Sequence, residues 1–474
     1  MSLLDHVLAD PDSDAPRLVY ADWLLEQPNA IAQARGEFIQ IQCRLAALPD
    51  EASPERTALV RREAALLARY ERAWIAAAIP AALNRRRAWD ATGGRFERGF
   101  IAELVVDDVG KSLPHLPALL AKLPLQRLHV WCHVPGDLAA LLAAPGLEQL
   151  RELTLGISDG ACADPIAPLL TTRRLDGLRR LGFAWHRSLR GGIDAPVAAV
   201  LAAPLAANVT QLELALPGHD ESNIAHAVAA ALDSPCAGQL EALRVRARER
   251  GPIGATPTPI GSAAIDRLCS AHLPNLRALA LDGTEVAVAL PALADRAGLP
   301  ALTAIELAGG RTTWNVADVA RLARRTPLTG LALVAYQRRP DFKSLLALEE
   351  LGELRSLALG FPFDDTAAAA LAKASHLRHL RALALRESPL TGAGANAIAS
   401  APHLASLRTL ELVDNRSTSV VAFTKSPYLA GLARLDLRRS GVARSSPAVA
   451  ALRERFGAAA IITDDDDLRS PRRI

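Results

Sequence analysis

A six-residue phrase recurs thirteen times along this 474-residue chain: an apolar residue, two variable residues, an apolar residue, one variable residue, an apolar residue. A clear copy is Leu380-Arg-Ala-Leu383-Ala-Leu385. The copies open at Ile101, Leu125, Leu150, Leu178, Val209, Leu240, Leu276, Leu302, Leu328, Leu354, Leu380, Leu407 and Leu432. Successive gaps lie between 24 and 36 residues, and four in a row are 26. Self-similarity at such a period marks a solenoid, in which each unit buries its apolar face on its neighbours. That architecture also explains how a chain too long for one ordinary compact core can fold without enlarging its core.

The phrase reads as the strand of a leucine-rich repeat. Most copies are followed by a turn and then by an Ala/Leu-rich segment with helical spacing, such as Asp137–Ala144 or Thr366–Lys373. Pro closes several of these segments, at Pro145, Pro274, Pro327 and Pro402. The expected object is an α/β leucine-rich repeat solenoid over residues 101–445, a horseshoe with a parallel inner sheet and outer helices. The longer gaps place insertions around residues 155–275, predicted as loops on one face. Residues 446–474 read as a C-terminal cap and tail, because the run Asp464–Asp467 repels itself and stays solvated.

Before the repeats the pattern is helical. Residues 1–48 read as a small all-helical domain. Asp14 is placed to cap a helix opening at Ala15-Pro16, with Leu18, Ala21, Trp23 and Leu25 as its apolar surface. A second helix is predicted from Ala30 to Leu48, with Phe38, Ile41 and Leu45 at helical spacing. Residues 57–79 form a third, and 57–100 read as a helical bridge and N-terminal cap for the otherwise exposed first repeat.

The segment Arg17-Leu-Val-Tyr20-Ala-Asp22-Trp23-Leu24, with Arg35-Gly36-Glu37-Phe38-Ile39 and Gln42, resembles the short N-terminal domain of bacterial repeat-companion proteins. Arg95-Phe96 and Arg98-Gly99-Phe100-Ile101 resemble that family's approach to its repeats. The resemblance implies a helical domain preceding leucine-rich repeats and carries no biochemical role. Leu25–Ala30 departs from it, which implies a lengthened loop. The repeats resemble the longer, helix-bearing class to which ribonuclease inhibitor belongs, which implies protein binding on the concave sheet. The buried Asn usual after each strand phrase in that class survives clearly only at Asn415.

The remaining sequence narrows function mostly by exclusion. A net charge of +3 gives no global drive towards nucleic acid or anionic membranes. The N-terminus has no basic segment followed by an apolar run, so no secretory signal is expected, and no apolar run is long enough to span a bilayer. Five scattered cysteines point to a reducing cytoplasm rather than a disulfide framework. No nucleophile elbow, phosphate loop or metalloprotease motif is present, so no catalytic residue and no cofactor are expected. His129 and His133, or His376 and His379, lack the closely paired partners of a zinc site, so no metal is expected.

Binding residues are read from strand alternation, which turns the variable phrase positions to the hollow. One end offers Arg127, His129 and Trp131, the types enriched at interface hot spots. The middle offers Arg244 and Arg246 and then a run of alanines. The other end offers Arg386, Glu411, Arg434, Asp436 and Arg438. The leading reading is a cytoplasmic, non-catalytic scaffold that binds another protein. The alternative is nucleic-acid or anionic-surface binding through Arg85–Arg87, Arg244, Arg246, Arg248 and Arg250. For Arg17, Tyr20, Asp22 and Trp23 two readings compete. One is a surface that docks a partner or the repeat body. The other is a small domain whose Trp and Tyr form the core while Arg and Asp pair on the surface.

Overall fold

The computed structural model describes residues 2–48, 53–80, 95–106, 109–134, 136–157, 169, 172, 175–185, 194–216, 221–247, 260–283, 286–295, 299–309, 314–334, 341–360, 362–415, 419–443, 445–457 and 460–463. These fall into two compact units, one mainly Met1–Ala215 and the other mainly Leu216–Asp233 with Ala237–Asp467. Each is a run of parallel strands alternating with helices, the α/β leucine-rich repeat architecture expected from the phrase.

The first unit opens with four helices: α1 Leu3–Ala9, α2 Ala15–Leu25, α3 Ala30–Ala47 and α4 Pro54–Ala78. Its strands are β1 Arg95–Glu97, β2 Phe100–Val106, β3 Arg127–Cys132, β4 Glu152–Ile157, β5 Arg180–Trp185 and β6 Gln211–Leu216. The second unit holds β7 Ala242–Ala247, β8 Ala278–Asp282, β9 Ala304–Ala308, β10 Gly330–Val334, β11 Ser356–Leu359, β12 Ala382–Leu385, β13 Thr409–Glu411, β14 Arg434–Asp436 and β15 Ile461–Ile462. Helices such as Ser262–Ser270, Val316–Arg325 and Gly392–Ala399 link successive strands and pack side by side.

Each phrase places its apolar residues in step with those of the next. In the first unit Leu104, Leu128, Leu153, Leu181 and Leu212 pair in unbroken register. In the second the ladder runs Leu243, Leu279, Ile305, Leu331, Leu357, Leu383, Leu410 and Leu435, and ends on Ile461. All are buried. Strands spaced by roughly 4.8 Å bring these side chains into continuous contact.

A second device repeats with the first. Within each unit, in repeat after repeat, the carbonyl of the residue after the phrase's opening apolar residue accepts two backbone N–H groups from the following repeat. Arg355 and Ser356 donate to Thr329, Arg381 and Ala382 to Arg355, and Arg408 and Thr409 to Arg381. The same pairing joins Arg151 and Glu152 to Gln126 in the first unit.

The turn after the strand is left-handed in several repeats, always two residues beyond the phrase. Gly283 and Gly309 occupy it at φ 100° and 111°, and Glu387, Asp414 and Arg439 at 53°, 63° and 54°. Arg439 and Asp414 pair across successive turns at 2.8 Å. Asn415 is fully buried beside this turn; its Nδ2 donates to Leu385 O at 2.7 Å and its Oδ1 accepts from Ser388 N.

Two N-terminal expectations need correction. Asp14 stands at the N-cap of α2, but its carboxylate accepts no helix N–H and lies 3.5 Å from Arg98 Nε instead. The third helix begins earlier than predicted, at Pro54, because Ser53 caps it by accepting from Arg56 N at 3.0 Å. The insertions expected within 155–275 fall largely outside the described residues.

Candidate protein-binding surface

Strand alternation leaves one face of each sheet free of helices, and its side chains are set by register. On the first unit, Glu103, Arg127, Glu152 and Arg180 form one row across β2 to β5. Signs alternate along it, and the row is tied together. Arg127 reaches Glu97 at 2.6 Å and Glu103 at 3.3 Å. Arg180 reaches Glu152 at 3.7 Å and Glu213 at 2.7 Å. Burial alone would lower the Arg127 pKa, but Glu97, Glu152 and Glu103 reverse this and hold it above the ordinary value. His129 Nε2 lies 3.3 Å from Glu103.

Trp131 lies two rows from Arg127, beyond the row of His129 and Thr154, and is paired with Gly156 on β4. A Cβ on Gly156 would collide with the indole. Glycine therefore lets the half-exposed ring lie flat across the neighbouring strand. The three residues read from the sequence as one patch, Arg127, His129 and Trp131, follow one another on the open face of β3 with intermediate exposure.

On the second unit, Arg244 reaches across Ala280 to Glu306 at 2.9 Å, a span that the small alanine permits. Arg246 stands beside Asp282 in register and is half-buried. Beyond them the face is small: Ala278, Ala304, Gly330, Ala332, Ala358, Ala382 and Ala384 occupy it in register. Ala308, expected on this face, is buried. Arg386 pairs with Glu411 at 3.2 Å.

Asp436 is the main departure at the far end. Read as open to the hollow, it is 0 % exposed, because Arg434 and Arg438 fold over it at 3.0 and 2.7 Å. Burial would raise its pKa, but the Arg438 hydrogen bond and the two guanidinium charges outweigh this and hold it below 3.8. Arg85–Arg87, Arg248 and Arg250 lie outside the described residues.

The N-terminal motif divides in a way the sequence did not suggest. Of the two readings, core packing would bury Trp23 and leave Arg17 on the surface; Trp23 is 44 % exposed and Arg17 is 3 % exposed. The reason is the β1–β2 hairpin. Its two-residue turn, Arg98-Gly99, has positive φ at both positions, the geometry that suits right-twisted strands. Arg17 Nη1 donates to Arg98 O at 3.1 Å, Nη2 donates to Pro11 O at 2.6 Å, and the guanidinium lies over Phe100 at 5.1 Å. Gln42 Oε1 accepts from Gly99 N at 2.6 Å. A side chain at Gly99 would collide with Ile39 of α3. Val7, Ala21, Leu24, Ile39, Cys43 and Phe100 make one buried cluster with Tyr20 against it. Arg17 thus binds the helices to the first repeat. Asp22 accepts from Gln40 at 2.8 Å on the outside.

Sequence reasoning passed over Arg35 as a site. Its guanidinium carbon lies 4.5 Å from the ring centre of Phe96, 5.0 Å from Trp74, and 5.8 Å from both Phe38 and Phe100.

The described cysteines are buried and form no disulfide with one another. Burial pushes the Cys43 and Cys132 thiols up to about 12, far from nucleophile chemistry at neutral pH. Among the described residues no three His, Cys, Asp or Glu side chains gather as metal ligands, and no helix is long and apolar enough to cross a membrane.

No protein-family model and no curated protein matches this chain. Among solved structures, an internalin from Listeria monocytogenes aligns over 74 % of this chain and 93 % of its own, at 16 % identity and a TM-score of 0.30. The fold assignment rests on the chain's own strand ladder.

Proposed function

We propose that this chain is a protein-binding scaffold whose partner docks on the open face of the repeat strands, centred on Trp131 with Arg127 and His129. One observation carries this reading: a part-buried tryptophan seated over Gly156, on the same strand face as an Arg127–glutamate cluster whose charges neutralise one another. Aromatic anchors of that kind dominate interface energies, and their paired polar surroundings set orientation. The pairing also disfavours nucleic acid, since Arg127, Arg180 and Arg244 already face glutamates. The described cysteines, buried and in no disulfide, support a reducing compartment such as the cytoplasm. The N-terminal helices, which we read as a companion domain over 1–48 and a bridge over 57–100, cap the first repeat. We assign the repeats to the helix-bearing, ribonuclease-inhibitor-like class, a reading supported by helices such as Val316–Arg325.

The test is capture of tagged chain from native lysate at two salt concentrations, with wild type and two variants. Trp131→Ala deletes the anchor, and Gly156→Ala displaces it without removing it. Each should weaken retention of a stoichiometric protein by about tenfold or more. A partner held equally by both variants would end the Trp131 assignment. Nucleic acid lost at the higher salt would replace the scaffold reading.

A further inference from the structure

The first unit holds a charge that no described residue balances. Arg35 lies on α3, enclosed by Phe96, Trp74, Phe38 and Phe100. Its Nη1 is fully buried and has no acceptor among the described residues, and no carboxylate among them pairs with the side chain. Burial pulls its pKa down to about 9, with Tyr20 opposing the fall, so the group is still cationic at neutral pH. Ring faces attract a cation but accept none of its N–H groups. Buried arginines are otherwise paired, because an unmet guanidinium is expensive to desolvate. Arg17, on the neighbouring helix, shows the ordinary solution: carbonyl acceptors at 2.6 and 3.1 Å.

Residue 35 as a whole keeps intermediate exposure, and exposed apolar residues stand on α2 and α3. Ile31, one helical turn before it on α3, is 43 % exposed, and its carbonyl accepts from Trp74 Nε1 at 3.3 Å. Tyr20 stacks at 5.6 Å on Trp23, and Val19, one turn before Trp23, is 55 % exposed. Tyr20 also meets Phe100 at 5.7 Å, and Phe100, itself buried, lies 5.8 Å from the Arg35 guanidinium, so Trp23 connects to Arg35 through that ring. Exposed apolar residues grouped in this way mark interaction surfaces, whereas single ones need no explanation.

We infer that the α2–α3 face is a second protein-docking site, and that Arg35 receives a carboxylate from a partner segment whose apolar side chains settle on Trp23, Val19 and Ile31. The occupant follows from charge complementarity: the site supplies an aromatic platform and one unmet cation, so the segment must bring an Asp or Glu flanked by apolar residues. This inference is independent of the Trp131 surface.

A random peptide library displayed on phage is panned against the immobilised full chain. The strongest peptide is then synthesised with its acidic residue intact and as the Gln or Asn version. Enriched sequences should share an acidic residue beside Leu, Ile or aromatic residues. Fluorescence polarisation should show about tenfold weaker binding for Arg35→Met, and an equal loss for the neutralised peptide on wild-type chain. Trp23→Ser should also weaken binding, and Trp131→Ala should leave it unchanged. The neutralised peptide tests the point on a natively folded chain even if Arg35→Met destabilises the helices. An enriched set without a shared acidic residue, no enrichment at all, or equal binding of the acidic and neutralised peptides would overturn the inference. Peptides lost only in Trp131→Ala would likewise overturn it while leaving the sheet-face scaffold standing.

Discussion

The open faces of the two units stand on the same backbone and the same leucine ladder, yet they carry different chemistry. On β2 to β6 the face is crowded, with a glutamate–arginine row, a histidine and a tryptophan spread over a glycine. On β8 to β12 it is nearly bare, with alanine or glycine at most facing positions. The ladder tolerates little, because each leucine must fit two neighbours at close-packed density. The face has no such constraint. What differs between the units is therefore what packing leaves free, and what they share is what folding uses.

The largest effects should come from the shared part. Leu153→Ala in the first unit and Leu383→Ala in the second should each destabilise by about 3 kcal/mol, since both are buried ladder positions. Urea unfolding followed by hydrogen exchange would measure this. A difference of more than about 2 kcal/mol between the two would show that the ladders are not equivalent.

Next comes the junction peculiar to the first unit. Arg17→Ala strips two part-buried carbonyls of their donor and should cost about 2 kcal/mol, with exchange protection lost first across α2 and the Arg98-Gly99 turn. Uniform loss across the whole chain would show that the helices and first repeat do not form a local unit.

A smaller, pH-dependent effect belongs to the second unit. The folded-state pKa of Asp436 is lowered by Arg438 and Arg434 against the opposing effect of burial. Its contribution to stability is therefore complete above the ordinary carboxylate pKa of 3.8 and is lost as pH falls through the lower folded value. Acid titration should loosen the C-terminal repeats in this window, and Asp436→Asn, already destabilised at neutral pH, should lose that part of the dependence. An unchanged acid profile in the variant would remove Asp436 as the cause.

The smallest effect has the opposite sign. Glu387 holds the left-handed turn at φ 53°, where Gly283 and Gly309 serve in other repeats. Glu387→Gly should stabilise by roughly 0.5 kcal/mol, the steric relief slightly exceeding glycine's entropy cost. Thermal melting would show it as a slight rise in midpoint.

The repeats were legible because the constraint is local and periodic: the thirteen phrases coincide with β2 to β14. Arg17 and Trp23 stayed between two readings for the converse reason. Their surroundings are made by residues far along the chain, and the turn that fixes Arg17 lies 81 residues away. The seven-residue α1 was missed because its start rests on a single local device, the Ser2–Asp5 capping box. Trp131 was legible as a candidate, but its seat on Gly156 required the register between β3 and β4. Arg35 gave no signal, since an arginine without a partner looks the same in sequence as one with a partner.

The shared carbonyl that ties each repeat to the next has a consequence for how such a chain can change. Thr329 receives the N–H groups of residues 355 and 356, and Arg355 receives those of 381 and 382. Excising residues 355–380 would join Leu354 to Arg381 and present the same donor pair to Thr329 in the same register. Gene segments of this length are thus exchangeable parts. Lineages can lengthen or shorten the array by recombination without redesigning a joint, while the decorated face and the Arg17 clasp at its start are inherited intact.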